Sequence, residues 1–235
     1  MTGPAVVVVG ACGGCGASLI AGGIALAWAA RGAATWLVEI DVERGDLAGA
    51  WGVSPERGLA DLVPVSAELD AGHLRQACHA HSSGAMLVLG PGTPGAAGPW
   101  DAAAVARLVK VAGGEGRVVL DAGAGLSSLA IVAAEAATRL LLVCPPTVAA
   151  ARRARRLVEA LAGGGADRRS GLVVCGGRGG AELSAGALAR AVGLEVVAEA
   201  PWDERDARQI GVGRWPGGRR RGLGAAVSRL AEVLA

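Results

Sequence analysis

The sequence predicts an α/β fold: a doubly wound, mostly parallel sheet flanked by helices. Two observations point there. Short apolar runs alternate with longer helical patterns along the 235 residues, and β-α alternation of this kind is the signature of a doubly wound domain. The runs are continuous rather than alternating in polarity, as strands buried on both faces require. No linker rich in Pro or Ser divides the pattern and no internal repeat appears, so residues 1–235 read as a single domain.

In chain order, Ala5–Val9 (AVVVV) is the first expected strand, followed by a Gly-rich turn and a helix over Ser18–Ala30. Thr35–Ile40 (TWLVEI) is the second strand and Ala71–His79 the second helix. Ala85–Leu89 and Arg117–Leu120 are strands on either side of a helix at Ala102–Ala112. A helix at Leu126–Ala136 leads to the strand Leu140–Cys144. Helix Val148–Ala162 follows, with Ala150, Ala154, Leu157, Val158 and Leu161 on one face, the spacing of an amphipathic helix. Gly171–Cys175 and Glu195–Ala198 are strands separated by a helix at Leu183–Val192, and Gly224–Leu234 is the last helix. Gly163–Gly165 and Gly176–Gly180 read as loops at element ends.

Composition narrows the function. Lys+Arg 23 against Asp+Glu 21 leaves a net charge of +2, which argues against a wholly basic nucleic-acid binder. The first half is net acidic and the second net basic. Lys110 is the one lysine, and Phe and Tyr are both absent, a GC-rich codon accent that leaves few residues for a base-stacking platform of the single-strand-binding kind. The longest apolar stretch, Leu19 to Ala30, is too short to span a bilayer, and no basic segment precedes an apolar one at the N-terminus. A cytoplasmic protein with reduced thiols is expected.

Ligands of such sheets bind at the carboxyl ends of the strands, which singles out Gly10–Ser18, Glu39–Asp46 and Asp121–Ser128. In Gly10–Ser18, glycines let backbone N–H groups turn inward at a helix N-terminus, a geometry that suits phosphate. Ser18 stands where G-x-x-x-x-G-K-[ST] places its magnesium-binding hydroxyl. Ala17 replaces the Lys of that pattern and Ala11 its first Gly. A Gly-rich turn with no ligand is the alternative. Cys12 and Cys15 also have C-x-x-C spacing, which a redox pair or half a metal site would use, although no second C-x-x-C completes a zinc site. Asp41 and Asp121 each follow a strand; either could cap a turn, and together with the loop they read as a magnesium site.

Read together, CGGCGAS, LVEIDVERGDLAGAWGV, GLADLV and VVLDAGAGLS resemble the MinD/ParA superfamily of deviant Walker P-loop ATPases. The likeness is greatest to the CpaE/TadZ branch, including actinobacterial CpaE-like proteins also described as septum-site determining proteins. It runs from Val6 to the last helix. The superfamily loop reads K-G-G-x-G-K-[ST]; Gly13, Gly14, Gly16 and Ser18 match it, Cys12 and Ala17 replace both lysines, and Leu19 replaces the usual Thr. The resemblance implies a P-loop NTPase fold and a nucleotide site over Cys12, Gly13, Gly14, Cys15, Gly16, Ala17, Ser18 and Leu19. It implies magnesium held at Ser18, Asp41 and Asp121, with Asp41 as the switch residue that positions water. The expected cofactor is ATP or ADP with Mg2+, bound weakly or vestigially. Members of the branch often carry an N-terminal receiver-like domain, so this chain is expected to be a short form or a fragment.

The replaced lysines set expectations for activity. Each lost charge-assisted hydrogen bond costs about 1.5–3 kcal/mol, roughly tenfold to a hundredfold in affinity. Each lost transition-state donor costs about 10²–10³ in rate. At most a weak ATPase is expected, with Arg44 and Arg178 as candidate substitute cations. By resemblance, the role is to localise Tad/Flp pilus or secretion machinery as a homodimer, in contact with a pilus or secretion ATPase, at a pole or septum. The alternatives are a regulator of septum placement contacting division machinery and a DNA- or pole-binding module without nucleotide.

Two basic segments bear on that last alternative. Arg152, Arg155 and Arg156 fall opposite the apolar face of helix Val148–Ala162, with Arg153 on its flank, and Arg219, Arg220 and Arg221 precede the final helix. They could meet DNA phosphates or an anionic membrane surface; ordinary solvated faces are the other reading. The stripe Leu223, Ala226, Val227, Leu230, Ala231, Leu234 lacks the basic face of a membrane-lying helix and is expected to pack on the core. His73, Cys78, His79 and His81 could suggest metal, but on a helix end His79 and His81 would not share a face.

Overall fold

Strand β1, Ala5–Gly10, is buried along its whole length. In the computed structural model it lies inside an eight-stranded sheet of order β3-β4-β2-β5-β1-β6-β7-β8. The structure describes residues 3–54, 56–91, 98, 100–162, 169–176, 180–217 and 221–235. After β1 come helix α1 (Ala17–Ala29), strand β2 (Thr35–Glu39), helix α2 (Leu47–Trp51) and a single 3-10 turn at Leu59–Leu62. Helix α3 (Ala71–Ala77), strands β3 (His79–Ala80) and β4 (Met86–Val88), helix α4 (Ala102–Glu115), strand β5 (Arg117–Ala124) and helix α5 (Ser128–Ala136) follow. The chain continues through β6 (Arg139–Cys144), α6 (Val148–Leu161), β7 (Ser170–Cys175), α7 (Ala185–Val192), β8 (Val196–Ala200), α8 (Glu204–Gly211) and α9 (Leu223–Val233). Every pairing is parallel except β3 with β4.

The continuous apolar runs are explained by two apolar layers, one on each face. Val7, Val9, Val38, Leu120, Leu142 and Val174 point into the layer covered by α3 to α7. Val6, Val8, Leu37, Val119, Leu141 and Val173 point into the layer beneath α1, α2, α8 and α9. Successive strand residues face opposite sides, so a strand covered on both faces has few positions for a polar residue; the buried acids Glu39 and Asp121 lie in the carboxyl-terminal halves of β2 and β5. Thr147, Ser127, Ser184 and Asp101 cap α6, α5, α7 and α4 through side-chain oxygens that accept N–H groups of the first turn.

The expected helix Ala71–His79 is corrected. It stops at Ala77, Cys78 is extended (φ −97°, ψ 163°), and His79–Ala80 pairs antiparallel with β4. Pairing with the free edge of β4 outweighs the local helical pattern. The expected starts at Leu126 and Leu183 move to Ser128 and Ala185, each behind its serine cap. The helices α2 and α8 and the 3-10 turn are additions to the sequence reading. Gly163–Gly165 lie outside the described residues, as do residues 177–179 of the Gly176–Gly180 loop.

Candidate functional site

The turn from β1 into α1 is built on glycine where the backbone demands it. Gly14 (φ 72°) and Gly16 (φ 93°) are left-handed, and the Cys15 N–H donates to the Cys12 carbonyl at 3.4 Å. Gly16 is also the N-cap of α1. It has no side chain to accept the N–H groups of the first turn, and no acidic residue stands in that turn. Those donors and the positive end of the helix are therefore left to an anion. Every residue from Cys12 to Leu19 lines a cleft of about 610 Å³, within the size range of small-ligand sites.

Asp121 and Asp41 enter the cleft region from the neighbouring strand ends. Asp121 lies in β5 in register with Val8 of β1 and Glu39 of β2. It is 2% exposed. Burial pushes its carboxyl above the ordinary range and nearby Asp41 adds to the rise, while the Ser18 hydroxyl and the Gly123 N–H donate to it and oppose the rise. Its carbonyl accepts the N–H groups of Ile40 and Asp41 at 2.8 and 3.2 Å, which ties the end of β2 to β5. Gly123 is left-handed (φ 63°), and a Cβ there would overlap the Asp41 carboxylate. Only glycine at 123 lets the Asp41 carboxylate lie against this stretch of backbone.

Ser18, Asp41 and Asp121 are therefore brought together. Among the described residues no three His, Cys, Asp or Glu side chains form a ligand set. Magnesium keeps waters and binds through one or two carboxylates plus substrate phosphates rather than in an all-protein cage. A cation there would relieve two crowded carboxyls, one of them buried, with the Ser18 hydroxyl at hand.

Arg44 is the one cationic side chain among the described lining residues. Its Nη2 donates to the Ala124 carbonyl at 2.5 Å and its Nε stands 3.5 Å from Asp41 Oδ1. It is thus on the cleft wall, as a substitute cation would need to be, but already committed to Asp41. Arg178 lies outside the described residues, and Lys110 is exposed on α4.

Cys12, Cys15 and Cys175 also line the cleft, and Cys144 ends β6 just before the lining residue Pro145. All five cysteines are free thiols. Burial raises the Cys15 thiol, pushes Cys144 up to about 12 and Cys175 up to about 11. These three are protonated at neutral pH, unlike thiolate nucleophiles. His73, His79 and His81 go to separate partners: Asp70, the Arg57 carbonyl and Ser83.

The basic helix face is more structured than the sequence implies. Arg152, Arg155 and Arg156 line a groove of about 460 Å³ with Val148, Ala151, Leu183 and Ala191, between α6 and the segment leading through α7. Arg153 is exposed beside it and Arg155 pairs with Glu159 at 2.8 Å. Arg219 and Arg220 lie outside the described residues; Arg221 is exposed. The stripe of α9 is buried against α1, where Val227 closes on Gly23 and the Trp28 indole N–H donates to the Ala231 carbonyl at 2.7 Å.

Two residues of the site were given no role by the sequence reading, although one of them, Glu39, opens the singled-out segment Glu39–Asp46. Glu39, 3% exposed, accepts the Leu47 N–H at 2.8 Å and the Gly90 N–H at 2.9 Å. Burial raises its carboxyl, with Asp121 and Asp41 adding to the effect. An acid inside the apolar run TWLVEI was the available signal. Trp202 lines the far end of the cleft; inspection of the residues just after the last strand would have found it.

No protein-family model and no curated protein matches the chain. Solved structures do. A ParA family ATPase from Chlorobium tepidum TLS superposes with a TM-score of 0.83 at 20% identity, over 97% of this chain and 98% of that one. The cell division ATPase MinD of Pyrococcus furiosus gives a TM-score of 0.79 at 19% identity, over 98% and 97%. The septum site-determining protein MinD of Pyrococcus horikoshii OT3, complexed with Mg-ADP, gives 0.77 at 18%, over 100% and 96%. The chain therefore has the fold of the MinD- and ParA-type P-loop ATPases.

Proposed function

We propose that this chain is a degenerate MinD/ParA-like nucleotide-binding protein that acts in positioning other machinery and turns over ATP slowly at most. The observation that carries this reading is the convergence of Ser18, Asp41 and Asp121 beside a glycine loop whose helix N-terminus has no side-chain cap. The loop amides and α1 would hold the phosphates of ATP or ADP. Ser18, Asp41 and Asp121 would hold Mg2+, which supplies charge neutralisation on the phosphate oxygens. Asp41, at the cleft wall, would orient the attacking water.

The departures point to binding over turnover. Cys12 and Ala17 put no cation in the loop, and Arg44 is engaged by Asp41. Two missing donors, each worth about 10²–10³ in rate, leave little hydrolysis. Calorimetric titration with ADP and magnesium beside a phosphate-release assay tests this: binding with turnover far below one per second is expected, and turnover near that value would overturn it. An Asp41→Ala variant that binds as tightly as the parent would remove the site assignment.

The reading takes residues 1–235 as one P-loop domain, supported by the continuous sheet. It makes the active form a nucleotide-linked homodimer. The resemblance to CpaE/TadZ favours localisation of Tad/Flp pilus or secretion machinery; the MinD neighbours favour septum placement and division machinery. No described helix is long and apolar enough to cross a membrane. A fluorescent fusion forming polar foci supports the first role and a mid-cell band the second; an even distribution through the cell would count against both.

A second reading is favoured by one observation, the arginine-lined groove on α6. There Arg152, Arg155 and Arg156 would meet an anionic surface, such as DNA or an anionic membrane, without nucleotide. Binding that falls steeply with salt and survives Asp41→Ala would favour this reading.

A further inference from the structure

We propose that Cys12 and Cys15 form a reversible disulfide across the phosphate loop, and that closing this bond withdraws the loop from its anion. The second half of the inference rests on the nucleotide reading above; the first does not. Cys12-Gly13-Gly14-Cys15 is a single reverse turn. The Cys15 N–H donates to the Cys12 carbonyl at 3.4 Å, and Gly14, at the third position, has φ 72°, as a type II turn requires. Such a turn holds its end Cα atoms within about 7 Å of each other, and a disulfide needs them at about 4.4–6.8 Å. Gly13 and Gly14 are exposed, and a Cβ on either would meet nothing within 4 Å. No packing against the turn opposes its closing.

The two sulfurs are placed for different steps. Cys12 is partly exposed, Cys15 is 7% exposed, and both line the cleft. An oxidant therefore reaches Cys12 first. With a low-molecular-weight disulfide as oxidant, the Cys12 thiolate attacks one of its sulfurs and releases one thiol. The Cys15 sulfur then attacks Cys12 Sγ, forming the loop disulfide and releasing the second thiol. Two protein thiols are oxidised and one small disulfide is reduced; the protons of Cys12 and Cys15 end, by way of water, on the two released thiols. The rival partners are Cys144 and Cys175, which end β6 and β7. Cys175 Sγ lies 3.0 Å from where Gly16 would carry a Cβ. Both are buried in strands of the sheet, whereas Cys12 shares its turn with Cys15.

Closing the bond reshapes the surface that would hold phosphate. In the reduced loop the backbone N–H groups of Cys12, Ala17 and Ala11 are directed at the Cys15 sulfur. That sulfur packs against Gly10, where a Cβ would stand 2.5 Å from it. Bonding to Cys12 pulls the sulfur off these amides and draws the ends of the turn together, so the donors no longer converge on an anion. Coupling of this kind is reciprocal, and a bound anion must resist the oxidation equally.

The full chain, equilibrated in mixtures of glutathione and glutathione disulfide at about pH 8, where thiolate is available, is mapped by mass spectrometry and titrated with Mg-ADP and Mg-pyrophosphate by calorimetry. A Cys12–Cys15 linkage that dithiothreitol reverses is expected. Cys12→Ser and Cys15→Ser should abolish it, and Cys144→Ser and Cys175→Ser should leave it. The oxidised parent should bind both ligands at least about tenfold more weakly than the reduced parent, and Cys12→Ser, whatever its affinity, should not respond to the redox buffer. A glutathione adduct that stays on Cys12, or a linkage of Cys15 to Cys144 or Cys175, overturns the inference and leaves the nucleotide reading standing. A Cys12–Cys15 bond with unchanged affinity for both ligands overturns the coupling. If the reduced parent binds neither ligand, the nucleotide reading and the coupling fail together, and the mapped linkage alone decides the disulfide.

Discussion

A buried carboxyl that costs stability is the mark of the site at the scale of single residues. Asp121 is raised by burial and by Asp41, so the folded state holds its proton to higher pH than the unfolded chain does. Folding stability then falls as pH rises from the ordinary carboxyl range, about 4, through the raised value. Asp121→Asn keeps an acceptor for the Gly123 N–H and removes the charge. We expect its stability without ligand to equal or exceed the parent's at pH 7.5, the difference to close below about pH 4, and magnesium-dependent nucleotide binding to be lost. Denaturant midpoints measured across pH check this; a variant less stable than the parent at pH 7.5 contradicts the assignment of a strained, ligand-awaiting carboxyl. Ser18, Asp41 and Asp121 were legible because each sits at the end of an apolar run or of a glycine loop. Glu39 opens a segment singled out in the sequence and is an acid in an apolar run, but its role was not legible: it accepts two N–H groups from segments 8 and 51 residues away, and sequence spacing carries no trace of the second.

Elements show the same division between local and distant causes. Helix α1 was legible from its apolar length; what its two glycines do was not. They are contact points: Gly22 admits Trp51 and Gly23 admits Val227. Its last turn is fixed by Trp28, fully buried, with the Arg117 guanidinium 5.5 Å from the ring centroid and the indole N–H on Ala231 of α9. Trp28→Ala should cost about 3–5 kcal/mol and loosen α9 first; equilibrium unfolding and protection of the α9 amides against hydrogen exchange measure the two effects. Helix α8 was illegible because it is short and polar. Its buried positions are Ala207, Ile210 and the carboxylate of Asp206, which accepts the Gly224 N–H at the start of α9. An acid that serves a second helix has no periodic signature. The end of α3 failed for a related reason, since the edge of β4 that draws His79–Ala80 out of helix belongs to a later segment.

At the scale of the whole molecule, the order of strands decides what the site can do. The strands β5, β1 and β6 lie side by side, so the loop after β1 stands at the middle of the sheet with a carboxylate from each of β5 and the β2 end on one flank and Trp202 beyond β7 on the other. The alternation of runs predicted a parallel sheet; it could not order the strands, because order depends on which crossover goes to which side. A ligand in this cleft would touch the ends of strands on both sides of β1 and the first turn of α1, a helix buried in one of the two apolar layers. It should therefore stabilise the fold as a unit rather than one loop. With ADP and magnesium at about a hundred times Kd, the linkage contribution is about 2.7 kcal/mol. For a domain of this size that corresponds to a rise in Tm of about 5–10 °C. Ser18→Ala, which leaves the apolar layers intact but takes the hydroxyl donor from buried Asp121, should lower the ligand-free Tm by a few degrees and lose most of the magnesium-dependent part of that rise. Differential scanning calorimetry of the two proteins with ADP, with and without magnesium, measures it; an equal rise in both would move the cation away from Ser18 and Asp121.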